Sequence, residues 1–325
     1  MTEITVPAAR TLAPAEIEAV SAMIMSAHSP ATTRAYEAAW RLFAQWATGL
    51  GRCPLPADPL HVASYLTQLA DSRAHSTVAK HAAAIGWMHG RRGHIDPVMS
   101  QGVRQVMAGL RRVHGVAPAR QAHPLSLAEL RRIVSTTIDD GPAGVRDRAL
   151  LLIGWGAALR VSELVALRAV DVVISSDALV VNIARSKTDR EGRGAHVAVR
   201  RGEHEVTDPV AALLAWFELT GANAADRAGQ PLWLRLDRAG KPRSGAPLGA
   251  RTIGDMLRRR AERCGLGDLD LSSHSLRAGH VTHRAVHLRH TLEEIARSTR
   301  HASIETTRGY VRVHEAALHA ADLGL

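Results

Sequence analysis

The feature that most constrains the fold of this 325-residue chain is a ten-residue stretch, GVAPARQAHP, at positions 115–124. It is rich in Pro, Ala and Arg and lacks the regular apolar spacing of a helix or a strand, which is typical of a hinge between domains. Helical order resumes at 126–134, where Ser126 and Glu129 have the spacing of a capping box. A chain of this length usually exceeds one compact core. We therefore predict three parts, namely a domain over 1–115, a linker over 116–124 and a second domain over 125–325.

The first domain has the pattern of a small helical bundle. An apolar stripe at helical spacing is formed by Tyr36, Trp40, Phe43 and Ala47. Asp58 and Pro59 predict a helix start, with the aspartate as N-cap and the proline at the first helical position. Two further helical patterns end at Gly90 and Gly115. Because the chain is 46% hydrophobic but only 3% aromatic, we expect cores of Ala, Leu and Val between packed helices.

The second domain also has mostly helical patterns, but in one segment the residue pattern is that of β-strands. Residues 144–167 predict an apolar helix, a turn and a second helix. The β-branched runs at 179–183 and 196–199 flank a polar, glycine-containing tip, which predicts a β-hairpin. The predicted fold class is therefore mainly α (α+β), with an N-terminal helical bundle and a mostly helical second domain that carries a small antiparallel β-hairpin or sheet.

The net charge and the cysteine content restrict the classes of partner and site that this protein is expected to have. The formal net charge is +10, nearly all of it from arginine, and an arginine-rich surface favours nucleic acid as the partner because guanidinium groups grip phosphate oxygens bidentately. Cys53 and Cys264 are the only cysteines, which favours reduced thiols over a disulfide framework or a cysteine zinc site. No apolar run reaches the length of a membrane span, so we expect a soluble cytoplasmic protein that does not contact a membrane.

Six side chains of the second domain together supply the groups needed for metal-free phosphoryl transfer. These are Arg160, Lys187, His274, Arg277, His301 and Tyr310. Cations match the negative charge that grows on a phosphodiester under attack. Tyr310 is the only tyrosine of this domain and the candidate nucleophile, but a phenol with a pKa near 10 needs nearby cations or a base, for which His274 and His301 are candidates. Lys187 at the hairpin tip is the candidate proton donor to the leaving alkoxide.

These residues, in this order, resemble the tyrosine recombinases of the phage integrase family, and the resemblance covers both domains. AALRVSEL at 157–164 matches the first catalytic-arginine box, and ARSKTDREGRG at 184–194 matches the hairpin lysine. HSLRAGH at 274–280 matches the His-x-x-Arg box, and TTRGYVR at 306–312 has the family's spacing around the closing tyrosine.

Three departures from the family pattern stand out. Ala158 and Arg300 occupy positions where the family commonly has glycine. The interval from Arg277 to His301 is about two residues longer than in the commonest members. None of the six candidate positions is interrupted.

The resemblance implies a site-specific enzyme that cleaves and rejoins duplex DNA. Tyr310 would attack the scissile phosphate and form a 3′-phosphotyrosyl link, with no ATP, metal or other cofactor. Residues 1–115 would be a core-binding DNA-binding domain and 125–325 the catalytic domain. The implied partners are double-stranded DNA with a specific inverted-repeat site and further copies of this chain, as a tetramer on DNA through exchange of the C-terminal helix. The segment EAALHAADLGL at 315–325 suits such a helix and equally suits packing on its own subunit.

Rival functions remain open on sequence alone. A type IB topoisomerase-like enzyme would use the same chemistry, but the N-terminal bundle favours a recombinase. A non-catalytic DNA-binding regulator would not need all six groups. A metal-dependent nuclease is disfavoured because acidic residues do not cluster with the basic motifs.

Four histidines at helical spacing raise a metal hypothesis. They are His280, His283, His287 and His290. Neither an HExxH motif nor a nearby pattern of acids supports zinc, so we predict no metal site and favour a solvated or DNA-facing stripe.

Overall fold

The computed structural model describes residue 23 and residues 28–115, 122–184, 194–221, 229–301 and 303–318. These residues are mostly helical with small antiparallel sheets, which confirms the predicted fold class. They form two compact units, one within residues 1–121 and one within 122–325. Within the described ranges, no helix is long and apolar enough to cross a membrane.

The described residues of the first unit form a bundle of four α-helices, three of which start at a side-chain cap. The helices are α1 (Pro30–Gly49), α2 (Pro59–Ala70), α3 (His75–Arg91) and α4 (Gln101–His114). The predicted start of α2 is confirmed, because the Asp58 carboxylate accepts from the Leu60 N–H at 2.7 Å. Before α4, Pro97–Met99 forms a 3₁₀ turn, and Ser100 caps α4 by accepting from the Val103 N–H at 3.3 Å. The core of the bundle includes Phe43, Val62, Leu66, Val78, Ile85 and Val103.

The second unit contains the remaining helices. They are α5 (Leu127–Ser135), α6 (Gly141–Gly156), α7 (Val161–Ala166), α8 (Pro209–Thr220), α9 (Ala250–Arg263), α10 (His274–Val286), α11 (Leu292–Thr299) and α12 (Ile304–Leu318). Helix α6 is buried nearly all round and packs on α8, so it forms the centre of the core. The predicted capping box of Ser126 and Glu129 is present at the start of α5.

Two small antiparallel sheets lie in the second unit. Their strands are β1 (Val172–Ile174), β2 (Ala178–Ile183) and β3 (Ala195–Arg200) in one sheet, and β4 (Leu234–Leu236) and β5 (Pro242–Pro247) in the other. The predicted hairpin is confirmed as β2 and β3, in which Val181 lies opposite Val197. Alternate residues of β2 are buried, which joins the first sheet to the core. Strand β1 and the β4–β5 hairpin were not predicted.

A close approach of two backbones fixes the position of α10. A Cβ built on Gly279 would lie 1.9 Å from the Leu125 carbonyl oxygen, so only glycine fits there. The same carbonyl accepts from Trp155 Nε1 at 3.0 Å, and the Leu125 N–H donates to the Ser275 carbonyl at 3.1 Å. The chain segment before α5 is therefore bonded directly to α10, the helix that carries Arg277.

Candidate active site

The turn between α6 and α7 presents Arg160. The Arg160 N–H donates to Glu163 Oε2 at 2.9 Å, and Arg160 Nη1 donates to Glu163 Oε1 at 2.6 Å. Glu163 is buried, with 2% of its side chain exposed. Burial works to raise the pKa of the Glu163 carboxyl, but the Arg160 N–H and the Arg300 guanidinium outweigh it, so the pKa lies below its ordinary value. Glu163 therefore stays ionised and holds both the turn and the guanidinium.

Ala158 adopts a left-handed backbone conformation in this turn. Its φ of 47° is one that glycine adopts far more readily than an L-residue, which explains why the resembling family commonly has glycine there. The position is also buried, and the Ala158 carbonyl points toward the arginine cluster, where it accepts from Arg277 Nη1 at 2.5 Å.

We expect Ala158→Gly to raise the free energy of unfolding by roughly 1 kcal/mol, because it removes the strain of the left-handed conformation. Chemical denaturation measures this change. Ala157→Gly is the matched control, since Ala157 has an ordinary φ of −90°, and there glycine should lower the stability. Equal effects of the two substitutions would contradict the explanation.

Arg277 is buried in the first turns of α10. Its side chain is among the largest fully buried ones, and Nη2 donates to the Thr299 carbonyl while Nη1 binds Ala158. Burial lowers the pKa of the Arg277 guanidinium to about 10, and the charges of Arg160 and Arg300 add to this effect. A buried cation held by carbonyl oxygens is typical of a site that receives an anion.

Arg300 ends α11 in a left-handed conformation, with φ of 59°. Its Nη2 donates to Glu163 Oε2 at 3.0 Å and to the Ala158 carbonyl at 3.2 Å. Its own carbonyl accepts from Arg160 Nη2 at 2.8 Å. The cluster of Arg160, Arg277, Arg300 and Glu163 thus holds three cations and one anion. Arg300 is a departure from the family pattern, and its place in this cluster was not predicted from the sequence.

His301 is held by two threonine hydroxyls. Its Nδ1 lies 3.1 Å from Thr299 Oγ1 and 2.8 Å from Thr307 Oγ1. Thr299 Oγ1 also donates to the Ile295 carbonyl at 2.7 Å, so it can only accept from the ring, whereas Thr307 Oγ1 can either donate to Nδ1 or accept from it. The buried Nε2 has no hydrogen-bond partner within the described part of the chain. Burial lowers the pKa of His301 to about 3, assisted by the charges of Arg277, Arg160 and Arg300. The ring is therefore neutral near pH 7.

Tyr310 lies beside His301 on α12. The two rings are parallel, with an interplanar angle of 3° and centroids 5.6 Å apart. The phenol ring packs at the edge of a small cluster of Val281, Ile295 and Val311. The structure therefore brings together Arg160, Arg277, His301 and Tyr310.

The other two predicted residues are not joined to this group. His274 is exposed at the start of α10, where its backbone N–H donates to Ser272 Oγ at 3.2 Å. Among the described residues, no hydrogen bond links its side chain to the four. Lys187 lies outside the described residues.

The histidine stripe does not form as expected. Helix α10 ends at Val286, so His287 and His290 follow it. His280 packs edge-on against Trp155 at 5.3 Å, and burial together with the Arg284 charge lowers its pKa to about 3. The expectation of a solvated stripe is thus wrong for His280. In the ranges that can be described, no group of three or more His, Cys, Asp or Glu residues could hold a metal ion.

Comparison with known proteins places this site in a family. The profile described as the phage integrase family matches residues 123–317, which contain all six candidate positions. The chain belongs to the phage integrase family of tyrosine recombinases. Among curated relatives of this recombinase, an integrase/recombinase XerD homologue of Selenomonas ruminantium is 28% identical over 86% of this chain and 81% of the relative. A tyrosine recombinase XerD of Xanthomonas axonopodis pv. citri is 31% identical over 61% of each chain.

Solved structures of other recombinases share the fold of this family member. The Tn1549 transposon integrase in complex with transposon right end DNA has a TM-score of 0.56 at 16% identity, over 94% of this chain and 99% of that one. The XerH site-specific recombinase bound to difH substrate has a TM-score of 0.57 at 18% identity, over 81% and 72%. A lambda integrase dimer bound to a COC' core site has a TM-score of 0.56 at 13% identity, over 91% and 94%. At these identities the likeness concerns the fold alone.

Proposed function

We propose that this recombinase cleaves and rejoins duplex DNA at a specific site through a 3′-phosphotyrosyl intermediate, without metal or ATP. The observation that carries the proposal is a cluster of three buried or partly buried guanidiniums, two of them bound to the Glu163 carboxylate, beside the parallel rings of His301 and Tyr310. With His301 neutral, three cations and one anion leave an excess of two positive charges. A phosphodiester brings the negative charge that such a cluster lacks.

In the proposed step the Tyr310 oxygen attacks phosphorus, and the bond from phosphorus to the 5′ oxygen breaks. The phenolic proton passes to a base as the charged phosphate enters the site, for which His274 and His301 are the candidates. Arg160 and Arg277 hold the non-bridging oxygens as their charge grows. Lys187 supplies the proton that the leaving 5′ oxygen requires, and His274 assists at the phosphate. Attack by a 5′-hydroxyl on the tyrosyl link reverses the step, so the bond energy is conserved.

The proposed partners are duplex DNA with inverted repeats and further copies of the chain. The recombinases of similar fold are described as bound to their DNA sites, and a net charge of +10 suits a phosphate backbone. In this proposal residues 1–115 form the core-binding domain, 125–325 form the catalytic domain, and four copies assemble on DNA in the cytoplasm through exchange of the C-terminal helix. Side chains beyond Val311 and residues 319–325 lie outside the described part of the chain.

The test begins with a search for inverted repeats in the DNA that flanks the gene, and then measures a covalent adduct on a nicked duplex that carries such a repeat, with a chelator present. We expect the wild-type protein to form an adduct that survives denaturing electrophoresis and Tyr310→Phe to form none, because phenylalanine lacks the attacking oxygen. Tyr36→Phe is the matched control, since Tyr36 lies in the first unit and should leave the adduct unchanged. An adduct with Tyr310→Phe, or one that requires magnesium, would overturn the proposal.

The same assay separates the rival functions. A regulator would bind the duplex and form no adduct with any variant. A type IB topoisomerase-like enzyme would form adducts without regard to the repeats and would relax supercoiled plasmids that lack them. A recombinase should exchange strands only between two duplexes that both carry the site.

A further inference from the structure

Arg300 is the one arginine of the cluster that matches none of the sequence motifs of the resembling family, which commonly has glycine there. Only 9% of its side chain is exposed, so it is not an ordinary surface charge. Burying a guanidinium is unfavourable unless its donors are bonded and its charge is balanced. The contacts of Arg300 therefore indicate what the chain gains from an arginine at this position.

Those contacts link Arg300 to Arg160 and Arg277, which together are called the arginine pair. Glu163 Oε2 accepts from Arg300, and Glu163 Oε1 accepts from Arg160, so one carboxylate fixes both guanidiniums. The Ala158 carbonyl accepts from Arg300 and also from Arg277. Through one side chain, α11 is thus tied to the turn that carries Arg160 and to the acceptor that holds Arg277.

The backbone of Arg300 adds a further link, because its carbonyl accepts from Arg160 Nη2 at 2.8 Å. Any residue at this position supplies that carbonyl. Only the side chain determines whether Glu163 and Ala158 are held from the α11 side as well. The left-handed φ of 59° is similarly strained for the unbranched side chains of arginine, lysine and methionine, so these substitutions change the head group while the backbone penalty stays nearly constant.

We propose that Arg300 is a positioning residue for the cleavage reaction, fixing the directions in which Arg160 and Arg277 meet the scissile phosphate. The inference rests on the proposed function above. Arg300 acts through Glu163 and the Ala158 carbonyl, and its positive charge also adds to the field at the phosphate. Misplacement of a reacting or binding group by about 1 Å lowers rates on the order of 100-fold.

Two substitutions separate the head group's geometry from its charge. Arg300→Met removes both, and we expect cleavage to slow by on the order of 100-fold. Arg300→Lys keeps the charge but lacks the planar guanidinium whose Nη2 bonds both Glu163 and Ala158 while Nη1 bonds the Ser298 carbonyl, and we expect a loss of roughly 10-fold. Arg297→Met is the matched control, because Arg297 lies exposed on the same helix, and it should cleave at the wild-type rate.

A positioning role and a merely structural role differ in how the cleavage rate depends on the charge of the scissile phosphate. Each protein is assayed at saturating concentration on the nicked duplex and on the same duplex with a neutral methylphosphonate at the scissile position. If Arg300 positions the arginine pair, the defects of its variants shrink on the neutral substrate, because less charge grows there. If Arg300 only stabilises the fold, the defects are equal on both substrates, and that result would overturn the proposal.

Further outcomes are distinguishable from one another. No adduct from the wild-type protein on either substrate would overturn both this inference and the proposed function. A wild-type adduct that is absent in Tyr310→Phe, together with Arg300→Met cleaving as fast as wild type, would overturn the positioning role alone. Should Arg300→Met not fold, Arg300→Lys answers the same question through its ratio of rates on the two substrates.

Discussion

Replacing Glu163 by alanine is expected to lower the free energy of unfolding by about 3–5 kcal/mol, because it removes the counter-charge from a buried cluster of three arginines. Its two oxygens accept from Arg160 and Arg300, and both guanidiniums would remain buried without it. Glu163→Gln keeps the shape and one acceptor, so we expect a smaller loss of roughly 2 kcal/mol. Urea denaturation measures both.

Glu305→Ala is the matched control for this prediction. Glu305 also pairs with an arginine three residues away in sequence, Arg308, but at the surface. We expect a change within about 0.5 kcal/mol, since exposed ion pairs contribute little. Equal effects at the two glutamates would contradict the assignment of a buried cluster.

The contribution of Glu163 should also depend on pH. The folded pKa lies below the ordinary value of 4.5, so the stabilisation is complete above pH 4.5 and is lost as the pH falls below 4.5 through the folded pKa. The difference in stability between wild type and Glu163→Gln should therefore be constant near neutrality and shrink in acid. If the difference instead grows as the pH falls, folding does not lower the pKa of Glu163 and the prediction is wrong.

Gly279→Ala is expected to lower the free energy of unfolding by at least about 3 kcal/mol, because its Cβ meets backbone that cannot move independently. The added atom would lie 1.9 Å from the Leu125 carbonyl oxygen and 2.9 Å from the Leu125 nitrogen. Relief requires α10 to shift, which moves Arg277 away from Ala158. Thermal unfolding should show the loss of stability, and the adduct assay should show slower cleavage by the fraction that remains folded.

Gly109→Ala is the control for a helical glycine. A Cβ there meets nothing within 4 Å, so alanine should be neutral or stabilise α4 by up to about 1 kcal/mol. If Gly279→Ala were as harmless as Gly109→Ala, the close approach of α10 to Leu125 would be contradicted.

The elements that sequence predicted correctly are those specified by neighbouring residues. The start of α2 at Asp58 and Pro59 needs only a side-chain oxygen and a fixed φ. The β2–β3 hairpin was predicted because two β-branched runs flank a polar, glycine-containing tip. The β4–β5 hairpin was missed because β5 is mostly exposed and contains Pro242, Gly245 and Pro247, which resembles a loop in sequence.

In the candidate site, too, some residues were predicted from short sequence motifs and others were not. The order of Arg160, Arg277, His301 and Tyr310 was predicted from short motifs, and the structure brings these four together. The part played by Arg300 was not predictable, because its partner Glu163 lies 137 residues earlier in the chain. The Thr299 and Thr307 hydroxyls that contact His301 Nδ1 belong to no motif of their own. Long-range hydrogen bonds of this kind depend on tertiary packing, which local periodicity does not encode.

The small cluster beneath Tyr310 separates the energetics of α12 from those of the main core. Helix α12 contacts α10 and α11, and its buried apolar anchor within the described residues is Val311, which meets Val281 and Ile295. Among the described side chains, opening α12 exposes the apolar surface that Val311 and the Tyr310 ring bury in this cluster, worth on the order of a few kcal/mol, while the core around α6 stays intact. On these contacts, the helix that carries Tyr310 can undock as a local unfolding event without opening the core of the unit.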